Sequence, residues 1–347
     1  MFENMKYEVC VRCMTFNQSK YIIDTMDGFV IQQTTFPFVC CILDDASTDG
    51  EQEVIIKYFY NNFVVLEDSY NETEYAKIYY AQHKSNKNCY FAIFLLKENH
   101  YSNPEKFRGK KFEYIKPFRD SSNYDAICEG DDYWIAPNKL QLQVDFLNEN
   151  KEYVMVHTDF DLVDGVRKHY KEIYKDGDYL PRGIYNNGFN VGTMTVLFRR
   201  DVFDRIPKYF NEKNWMMGDK PLWFELAHEG KIKYIPQVTA KYRVLTYSAS
   251  HSRDLNRQLK FIEDGIEITR FYAHKYNIQL NTDFKDKEYY VKVMKDICKL
   301  EGKNYANRYL LAAIKSCHYS NKLLFFYLCT LFPFIKKSII KIFNYRF

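Results

Sequence analysis

Apolar runs alternate with amphipathic stretches in the N-terminal part of the chain, and this alternation restricts the fold more than any other feature. Residues 7–14 (YEVCVRCM) are apolar and rich in β-formers, which predicts a buried strand. Helical spacing runs from Ser19, a residue type that caps helices, towards Gln33. Residues 38–43 predict a second strand, and Asp49 can cap the next helix. This order predicts an α/β fold with a parallel sheet and right-handed crossovers.

The rest of the chain continues this pattern less regularly. Further strands are predicted at 91–96, 126–128, 153–157, 188–198, 232–235 and 238–242, and helices at 139–148, 200–205 and 218–230. Residues 64–115 are otherwise irregular, and the polar run 103–111 predicts a loop. From 254 to 320 the spacing is helical. We therefore predict a mostly parallel sheet flanked by helices, followed by a helical C-terminal region.

The composition and the net charge exclude several classes of protein. Hydrophobic residues make up 46% and charged residues 27% of the 347, so the chain can bury a core. A net charge of +4 is too small to indicate nucleic-acid binding. The nine cysteines are odd in number and several lie in predicted strands, which favours reduced thiols in the cytosol. The N-terminus lacks a basic segment followed by an apolar stretch, so we predict no secretory signal.

Positive charge is concentrated near the C-terminus. No acidic residue follows Glu301, whereas eight basic residues do. The apolar run 323–335 is shorter than the roughly 20 residues of a membrane span and contains Pro333. Together with the basic residues it suits an interfacial helix on an anionic lipid surface. It suits equally a helix that docks on the rest of the chain or on a second subunit.

Polar residues, most of them acidic, follow three of the predicted strands directly. They are Thr15 and Asn17, Asp44 and Asp45, and Glu129, Asp131 and Asp132. Because parallel strands end at a common edge, where open α/β sheets bind ligands, we expect these side chains to gather there. Crowded carboxylates at such a rim are costly unless a cation compensates them. The oxygens of Asp131 and Asp132 suit Mg²⁺ or Mn²⁺, which would bridge a diphosphate.

Three motifs occur in a set order along the chain. They are TFNQSKYI at 15–22, LDDASTDG at 43–50, and EGDDYW at 129–134, the last followed by Lys139 and Leu140. In this order they resemble a bacterial family 2 glycosyltransferase, over residues 5–250 or about 70% of the chain. The resemblance implies the GT-A fold, with a catalytic domain at 1–250 and a helical region with a basic, apolar tail at 251–347. Nucleotide-sugar binding would lie within 1–135 and the acceptor side within 136–250.

The resemblance also implies roles for residues on the donor side. Thr15 and Asn17 match the loop that lines the nucleoside. Asp44 and Asp45 match the acidic pair that binds the base and the ribose. These four residues are therefore predicted donor-binding residues.

The third motif matches the family's DxD-type segment. The resemblance implies that Asp131 contacts both the donor and a divalent metal, Mn²⁺ or Mg²⁺, and that Asp132 binds the metal. Glu129 stands where the family commonly has Asp, which leaves its own role open.

A catalytic base is expected on the acceptor side, where MGDKPLW at 217–223 resembles a helix start often written ED in the family. Gly218 replaces the Glu and Asp219 is retained. An inverting transfer needs one carboxylate to deprotonate the acceptor hydroxyl as it attacks the anomeric carbon, and we predict Asp219 for that role. Asp219 also suits a helix N-cap, and the two roles are compatible.

Four further residues have predicted roles. Arg243 lies in a segment similar to the family's YR element and would neutralise diphosphate charge. His251 follows as an additional metal ligand, although a lone histidine is more often structural. Trp134 either stacks on a sugar or packs the motif loop. His157, inside an apolar strand, is predicted to be a core histidine.

The sequence thus predicts an inverting, metal-dependent glycosyltransferase that uses a nucleotide-sugar, with a UDP-sugar preferred. Its acceptor would be a glycan or a lipid-linked molecule in cell-surface polysaccharide synthesis, and the protein would be cytoplasmic, with peripheral association at the inner face of the plasma membrane. Gly218 and Glu129 leave one alternative, a catalytically silent GT-A domain that binds nucleotide or glycan as an assembly partner. A nucleotidyltransferase would need a Gly-rich phosphate loop after the first strand, which TFNQ does not provide.

Overall fold

The computed structural model describes residues 5–107, 109–165, 178–179, 191–207, 213–245, 254–279, 282–300, 302–315, 318 and 320–335. The strands are β1 Tyr7–Thr15, β2 Phe38–Asp44, β3 Phe63–Val64, β4 Tyr70–Glu72, β5 Ala76–His83, β6 Cys89–Leu96, β7 Ser122–Ile127, β8 Tyr133–Trp134, β9 Tyr153–Leu162, β10 Asp178–Tyr179, β11 Val196–Arg199 and β12 Lys231–Tyr242. The helices are α1 Ile22–Val30, α2 Glu51–Asn62, α3 Pro104–Phe107, α4 Lys110–Asp120, α5 Lys139–Glu149, α6 Arg200–Arg205, α7 Asp219–Glu229, α8 Leu255–Lys275, α9 Thr282–Lys299, α10 Lys303–Lys315 and α11 Asn321–Leu331.

The described residues divide into two compact units. The first contains the described residues up to 179 together with 191–207 and 225–243, and it holds the sheet. The second contains 213–224 and the described residues from 244 onward, including the four C-terminal helices. The domain boundary at residue 250 stays a prediction.

Within the described residues the sheet has 12 strands, in the order β10-β12-β9-β11-β7-β1-β2-β6-β5-β3, with β4 paired to β5 and β8 to β12. The central strands β7, β1, β2 and β6 are parallel, as are β9 and β12, and antiparallel pairs extend the sheet on both sides. The register aligns Thr15 with Asp44 and Asp44 with Leu95. The predicted α/β class, with a parallel sheet flanked by helices, is confirmed.

Helices cover both faces of the central strands, which explains why β2 is buried at every position. On one face, Phe29 of α1 and Phe63 lie 6.3 and 4.4 Å from the ring of Phe91 in β6. On the other face, Phe94 lies 6.0 Å from Phe118 of α4. The two β6 phenylalanines are three positions apart and therefore point to opposite sides. The eight described cysteines are free and buried.

Two local predictions were wrong. Helix α1 begins at Ile22, since residues 19–21 form a turn in which the N–H of Ser19 donates to the carboxylate of Asp49 at 3.0 Å. The run 103–111 is not a loop, because α3 and the start of α4 fall there. The helical pattern predicted for 254–320 is confirmed by α8, α9 and α10, and Asn277 adopts a φ of 53° after the first of them.

Among the described residues of the second unit, the helices α8 to α11 pack together. Their buried faces form one core: Leu259, Ile262, Val293, Met294, Ile297, Cys298, Ala306, Tyr309, Ala313, Leu323, Phe326 and Cys329. Of the helices that the structure describes, none is long and apolar enough to cross a membrane. The predicted basic tail lies largely at 336–347, outside the described residues.

Candidate active site

The loops that follow β1, β2 and β7 meet at the carboxyl edge of the sheet. The N–H of Asp45 donates to the carbonyl of Thr15 at 3.0 Å, and the N–H of Gly130 donates to the carbonyl of Met14 at 3.1 Å. The acidic segment therefore runs alongside the end of β1, next to the loop after β2. The structure brings together the three polar clusters that were expected to gather.

A buried glutamate joins the first two loops. Glu51 accepts hydrogen bonds from the hydroxyl of Thr15, from the N–H of Gln18 at 2.8 Å and from the hydroxyl of Ser47 at 2.9 Å. Burial raises the pKa of Glu51, and these hydrogen bonds oppose that effect. Sequence reasoning missed this residue. The signal is its helical spacing with Ile55, which places a carboxylate on the buried face of α2.

Asn17 joins the same two loops from the solvent side. Its φ of 55° lies in the left-handed region, which asparagine tolerates better than most residues. Its N–H donates to the hydroxyl of Ser47 at 2.8 Å, and its side-chain oxygen accepts the N–H of Thr48 at 2.8 Å. The side chain lies exposed at the rim of the site. Donor binding by Asn17 and Thr15 stays a prediction.

Asp44 is fully buried at the end of β2 and has one oxygen free for a ligand. Its Oδ1 accepts the N–H of Ser47 at 3.0 Å and a hydrogen bond from the side-chain amide of Gln52. No donor among the described residues reaches its Oδ2. Burial raises the pKa of Asp44, while the hydrogen bonds from Ser47 and Gln52 lower it. A buried acceptor without a partner is costly, so this oxygen is a candidate contact for a bound molecule.

Asp45 has quite different partners. Its two carboxylate oxygens accept the N–H groups of His100 at 2.7 Å and Tyr101 at 3.1 Å. Lys111 lies 3.9 Å away, and Asn99 donates to the Asp45 carbonyl at 2.9 Å. Asp45 therefore fixes the loop after β6. Its predicted ribose contact stays a prediction, and both oxygens already accept backbone hydrogen bonds.

The acidic segment is packed tightly against β1 and α1. A Cβ on Gly130 would lie 2.2 Å from the hydroxyl oxygen of Thr15 and 2.5 Å from Oε1 of Gln18, so only glycine fits. From α1, the hydroxyl of Thr25 contacts the carbonyls of Gly130 at 2.9 Å and Asp132 at 2.7 Å. These contacts fix the backbone that presents the carboxylates of the segment.

The two aspartates of the segment form a crowded acidic pair. Asp132 is buried, and its Oδ1 accepts the N–H of Arg243 at 2.9 Å. The pKa of Asp132 is raised to about 9, chiefly by burial and secondly by the charge of Asp131. Burial also raises the pKa of Asp131. Glu129 instead accepts the hydroxyl of Thr193 at 2.7 Å.

The carboxylates of Asp131 and Asp132 suit a divalent cation that takes its remaining coordination partners from a bound molecule. Across the part of the chain that the structure describes, no three His, Cys, Asp or Glu side chains are arranged to hold a metal. Mg²⁺ in phosphate-handling sites is commonly bound by one or two carboxylates plus substrate phosphates, and Asp131 and Asp132 match that donor set. Because burial and the charge of Asp131 disfavour the anionic form of Asp132, an added cation would stabilise that form.

Arg243 fastens the acidic segment to α1. Its guanidinium donates to the carbonyl of Asp131 at 2.7 Å and forms an ion pair with Asp24. It also lies over the rings of Tyr21 and Tyr133, at 4.9 and 4.6 Å from their centroids. Sequence reasoning found Arg243 and missed Asp24. Neutralisation of a diphosphate by Arg243 stays a prediction.

Trp134 packs behind the segment and is buried. Its indole N–H donates to the carbonyl of Met194 at 2.7 Å, and the Lys139 ammonium lies 4.3 Å from a ring centroid. Lys139 donates to the side-chain oxygen of Gln143 at 2.7 Å. Burial lowers the pKa of Lys139 to about 7. Of the two roles considered for Trp134, the structure shows packing.

The remaining predictions concern Asp219, His157 and His251. Asp219 is the first residue of α7 and belongs to the second unit. Its Oδ1 accepts the N–H of Lys220 at 2.8 Å, and burial raises its pKa. His157 is buried in β9, with its ring 5.2 Å from that of Tyr234, as expected of a core histidine. His251 lies outside the described residues. The catalytic role of Asp219 and the metal role of His251 stay predictions.

Related proteins are distant in sequence. No protein-family model matches the chain. Two uncharacterized proteins, Rv1520 of Mycobacterium tuberculosis and Mb1547 of Mycobacterium bovis, are each 28% identical over 264 residues, which cover 72% of this chain. The alignment spans 62% of each relative, less than two thirds of its length.

Solved structures share the architecture. The mannosyltransferase PcManGT from Pyrobaculum calidifontis, in complex with GDP-Man and Mn²⁺, has a TM-score of 0.50 at 13% identity, covering 99% of this chain and 89% of that one. TarS residues 1–349 from S. aureus, in complex with UDP-GlcNAc, has a TM-score of 0.47 at 13% identity, covering 93% and 90%. At such identities the likeness concerns the fold alone, and the chain shares that of the mannosyltransferase.

Proposed function

We propose that this chain is an inverting family 2 glycosyltransferase with the GT-A fold. It would transfer a sugar from a nucleotide-sugar to a glycan or lipid-linked acceptor in cell-surface polysaccharide synthesis. The main support is the carboxyl edge of the sheet. There, a buried oxygen of Asp44 has no donor among the described residues, and the acidic pair Asp131 and Asp132 has raised pKa values. The fold shared with a mannosyltransferase is consistent with this chemistry.

On the donor side, the nucleoside would bind between the loops after β1 and β2. Asp44 Oδ2 is a hydrogen-bond acceptor that suits the ring N–H of uracil or of guanine, and we propose a UDP-sugar, as the sequence predicts. Thr15 and Asn17 would line the same site. Asp45 would act by holding the loop after β6, and Arg243 would offset diphosphate charge.

Asp131 and Asp132 would hold the divalent cation, Mn²⁺ or Mg²⁺, with His251 as a further ligand. When bound, the cation offsets the negative charge that develops on the departing diphosphate. Gly130 and Thr25 position the two carboxylates by fixing the backbone of the segment.

On the acceptor side, Asp219 would act as the general base. Burial raises its pKa, which makes its carboxylate a stronger base than an exposed aspartate. It would take the proton of the acceptor hydroxyl while that oxygen bonds to the anomeric carbon and the bond to the diphosphate breaks. Attack opposite the leaving group inverts the anomeric configuration.

Turnover and binding, measured separately, test this proposal. Wild-type protein with Mn²⁺ should bind a UDP-sugar and release UDP slowly, by transfer to water. Asp219→Asn should bind the donor with nearly unchanged affinity and release no UDP. Binding without UDP release, with water or any glycan acceptor, would instead support the silent-domain alternative. If no UDP-, GDP- or other nucleotide-sugar binds in the presence of Mn²⁺, the proposal is wrong.

A further inference from the structure

The last helix of the second unit is more apolar than its packing requires. The core of α8–α11 already uses Leu323, Phe326 and Cys329 of α11. The helix start is fixed by Ser320, whose hydroxyl accepts the N–H of Leu323 at 3.2 Å. The polar face expected of a surface helix is replaced by further apolar side chains.

These additional side chains form a stripe. Phe325 and Leu328 are each 37% exposed and Phe332 is 43% exposed. Their spacing of three and four residues places them on one side of α11, away from the buried face. Phe334, just beyond the helix, is 65% exposed. We call Phe325, Leu328 and Phe332 the outer stripe.

The preceding helix shows the same feature. Leu311 and Ile314 of α10 are 57% and 49% exposed and lie one turn apart. A hydrogen bond of 2.7 Å from the Tyr327 hydroxyl to Asn307 joins α10 to α11. Single exposed apolar residues are ordinary on protein surfaces, but a repeated stripe on adjacent helices marks a surface that binds something.

The charges around these helices indicate the partner. Lys303, Arg308, Lys315 and Lys322 are all exposed, and the sequence contains no acidic residue after Glu301. Along α10 and α11 themselves the charged residues are all cations, and an apolar face with such charges complements a surface that is apolar inside and anionic outside. A second copy of this chain would instead bring like charges together.

We infer that the outer stripe and the adjoining face of α10 dock on an anionic lipid surface. The 11 residues of α11 are about half of what a membrane span requires, so the helix would lie in the plane of the interface. The inference concerns the second unit only and does not depend on the proposed sugar transfer.

Co-sedimentation of the full chain with vesicles tests this inference. Vesicles with one quarter phosphatidylglycerol in phosphatidylcholine should bind the protein, pure phosphatidylcholine should bind it far less, and added salt should weaken the binding. The double variant Phe325→Gln/Leu328→Gln should lose roughly tenfold or more in vesicle affinity. Lys315→Glu/Lys322→Glu should also weaken binding, without any change in the apolar surface.

A matched control comes from the first unit, where Val65 and Leu66 are 37% and 52% exposed beside the acidic Glu67 and Asp68. The variant Val65→Gln/Leu66→Gln should bind vesicles as the wild type does. Equal binding to both kinds of vesicle, or none to either, would overturn the inference. So would a dimer in sedimentation equilibrium that the stripe variant dissociates, because the stripe would then be a subunit interface. Unchanged melting temperatures exclude misfolding as the cause.

Discussion

Two parts of the carboxyl edge are stabilised in different ways. The two loops proposed to bind the nucleoside, residues 15–18 and 44–51, are here called the nucleoside loops, and they are cross-linked by side-chain hydrogen bonds that converge on Glu51. The acidic segment, residues 129–132, is held mainly through its backbone, by Thr25 and Arg243. The nucleoside loops have few unsatisfied groups, whereas the acidic segment contains aspartates whose pKa values are raised.

This difference suggests a division of labour. The nucleoside loops are a preorganised surface, with Asp44 Oδ2 as the buried acceptor that a ligand would satisfy. The acidic segment has a rigid backbone, and its two aspartates are costly to ionise unless a cation is present. We therefore expect nucleoside affinity to depend on hydrogen bonds and to need no metal, and diphosphate affinity to depend on the cation.

The largest expected effect is on metal binding. Asp132→Asn should lower Mn²⁺ affinity about 100-fold or more, since it removes a charge from the pair, and even outer-shell changes at metal sites cost 10–100-fold. The asparagine oxygen can still accept the N–H of Arg243, so the fold should persist. Titration of free Mn²⁺ by electron paramagnetic resonance measures this. Glu129→Gln is the control and should change little, because Glu129 is bonded to Thr193.

The next effect concerns the nucleoside. Asp44→Asn should weaken UDP binding about tenfold in the absence of metal, because a charged acceptor is lost, a change of about 1.4 kcal/mol. Asp45→Asn should weaken it less, since Asp45 contacts the backbone of the loop after β6. Calorimetric titration with UDP and EDTA compares the two. A larger loss for Asp45→Asn would contradict the assignment of Asp44 as the base contact.

Glu51 tests whether the nucleoside loops are preorganised. Glu51→Ala removes the acceptors of the hydrogen bonds from Thr15, Gln18 and Ser47. We expect a loss of about 1–3 kcal/mol in the free energy of unfolding and a several-fold loss in UDP affinity. Urea denaturation and UDP titration measure the two effects. Normal UDP affinity in the destabilised variant would show that the loops do not need Glu51 to bind a nucleoside.

The last effect lies behind the acidic segment, concerns stability rather than ligand binding, and depends on pH. The pKa of Lys139 is about 7 in the folded protein and near 10.4 when unfolded. Between these values the unfolded state binds more protons, so Lys139 makes the protein more stable as pH rises from 7 to 9, by at most about 1.4 kcal/mol per pH unit. Lys139→Met should remove this increment. Denaturant titrations at several pH values give the free energy of unfolding of both proteins. An equal rise with pH in the two would contradict a lowered pKa of Lys139.

The sequence predicted the parts of the site that follow from strand order. Thr15 and Asp44 are the last residues of β1 and β2, Asp131 lies four positions after β7, and parallel pairing brings these strand ends together whatever the side chains do. Glu51 could also have been predicted from the sequence, because its helical spacing with Ile55 places a carboxylate on the apolar face of α2.

Contacts between distant segments could not be predicted in this way. The ion pair between Arg243 and Asp24 joins residues 219 positions apart, and no local pattern specifies it. The start of α4 within the predicted loop 103–111 has a similar cause: burial of Ile115 and Phe118 against the sheet stabilises a helix whose polar residues suggested a loop. Propensity is a weak guide where tertiary packing decides.

The central claim is that the two parts of the edge form one metal-assisted site for a nucleoside diphosphate. Calorimetric titration of the wild-type protein with UDP, in Mn²⁺ and then in EDTA, tests it most directly. We expect weak binding in EDTA and at least about tenfold tighter binding in Mn²⁺, because a cation held by Asp131 and Asp132 would offset the charge of the diphosphate. Equal affinity under both conditions would contradict it.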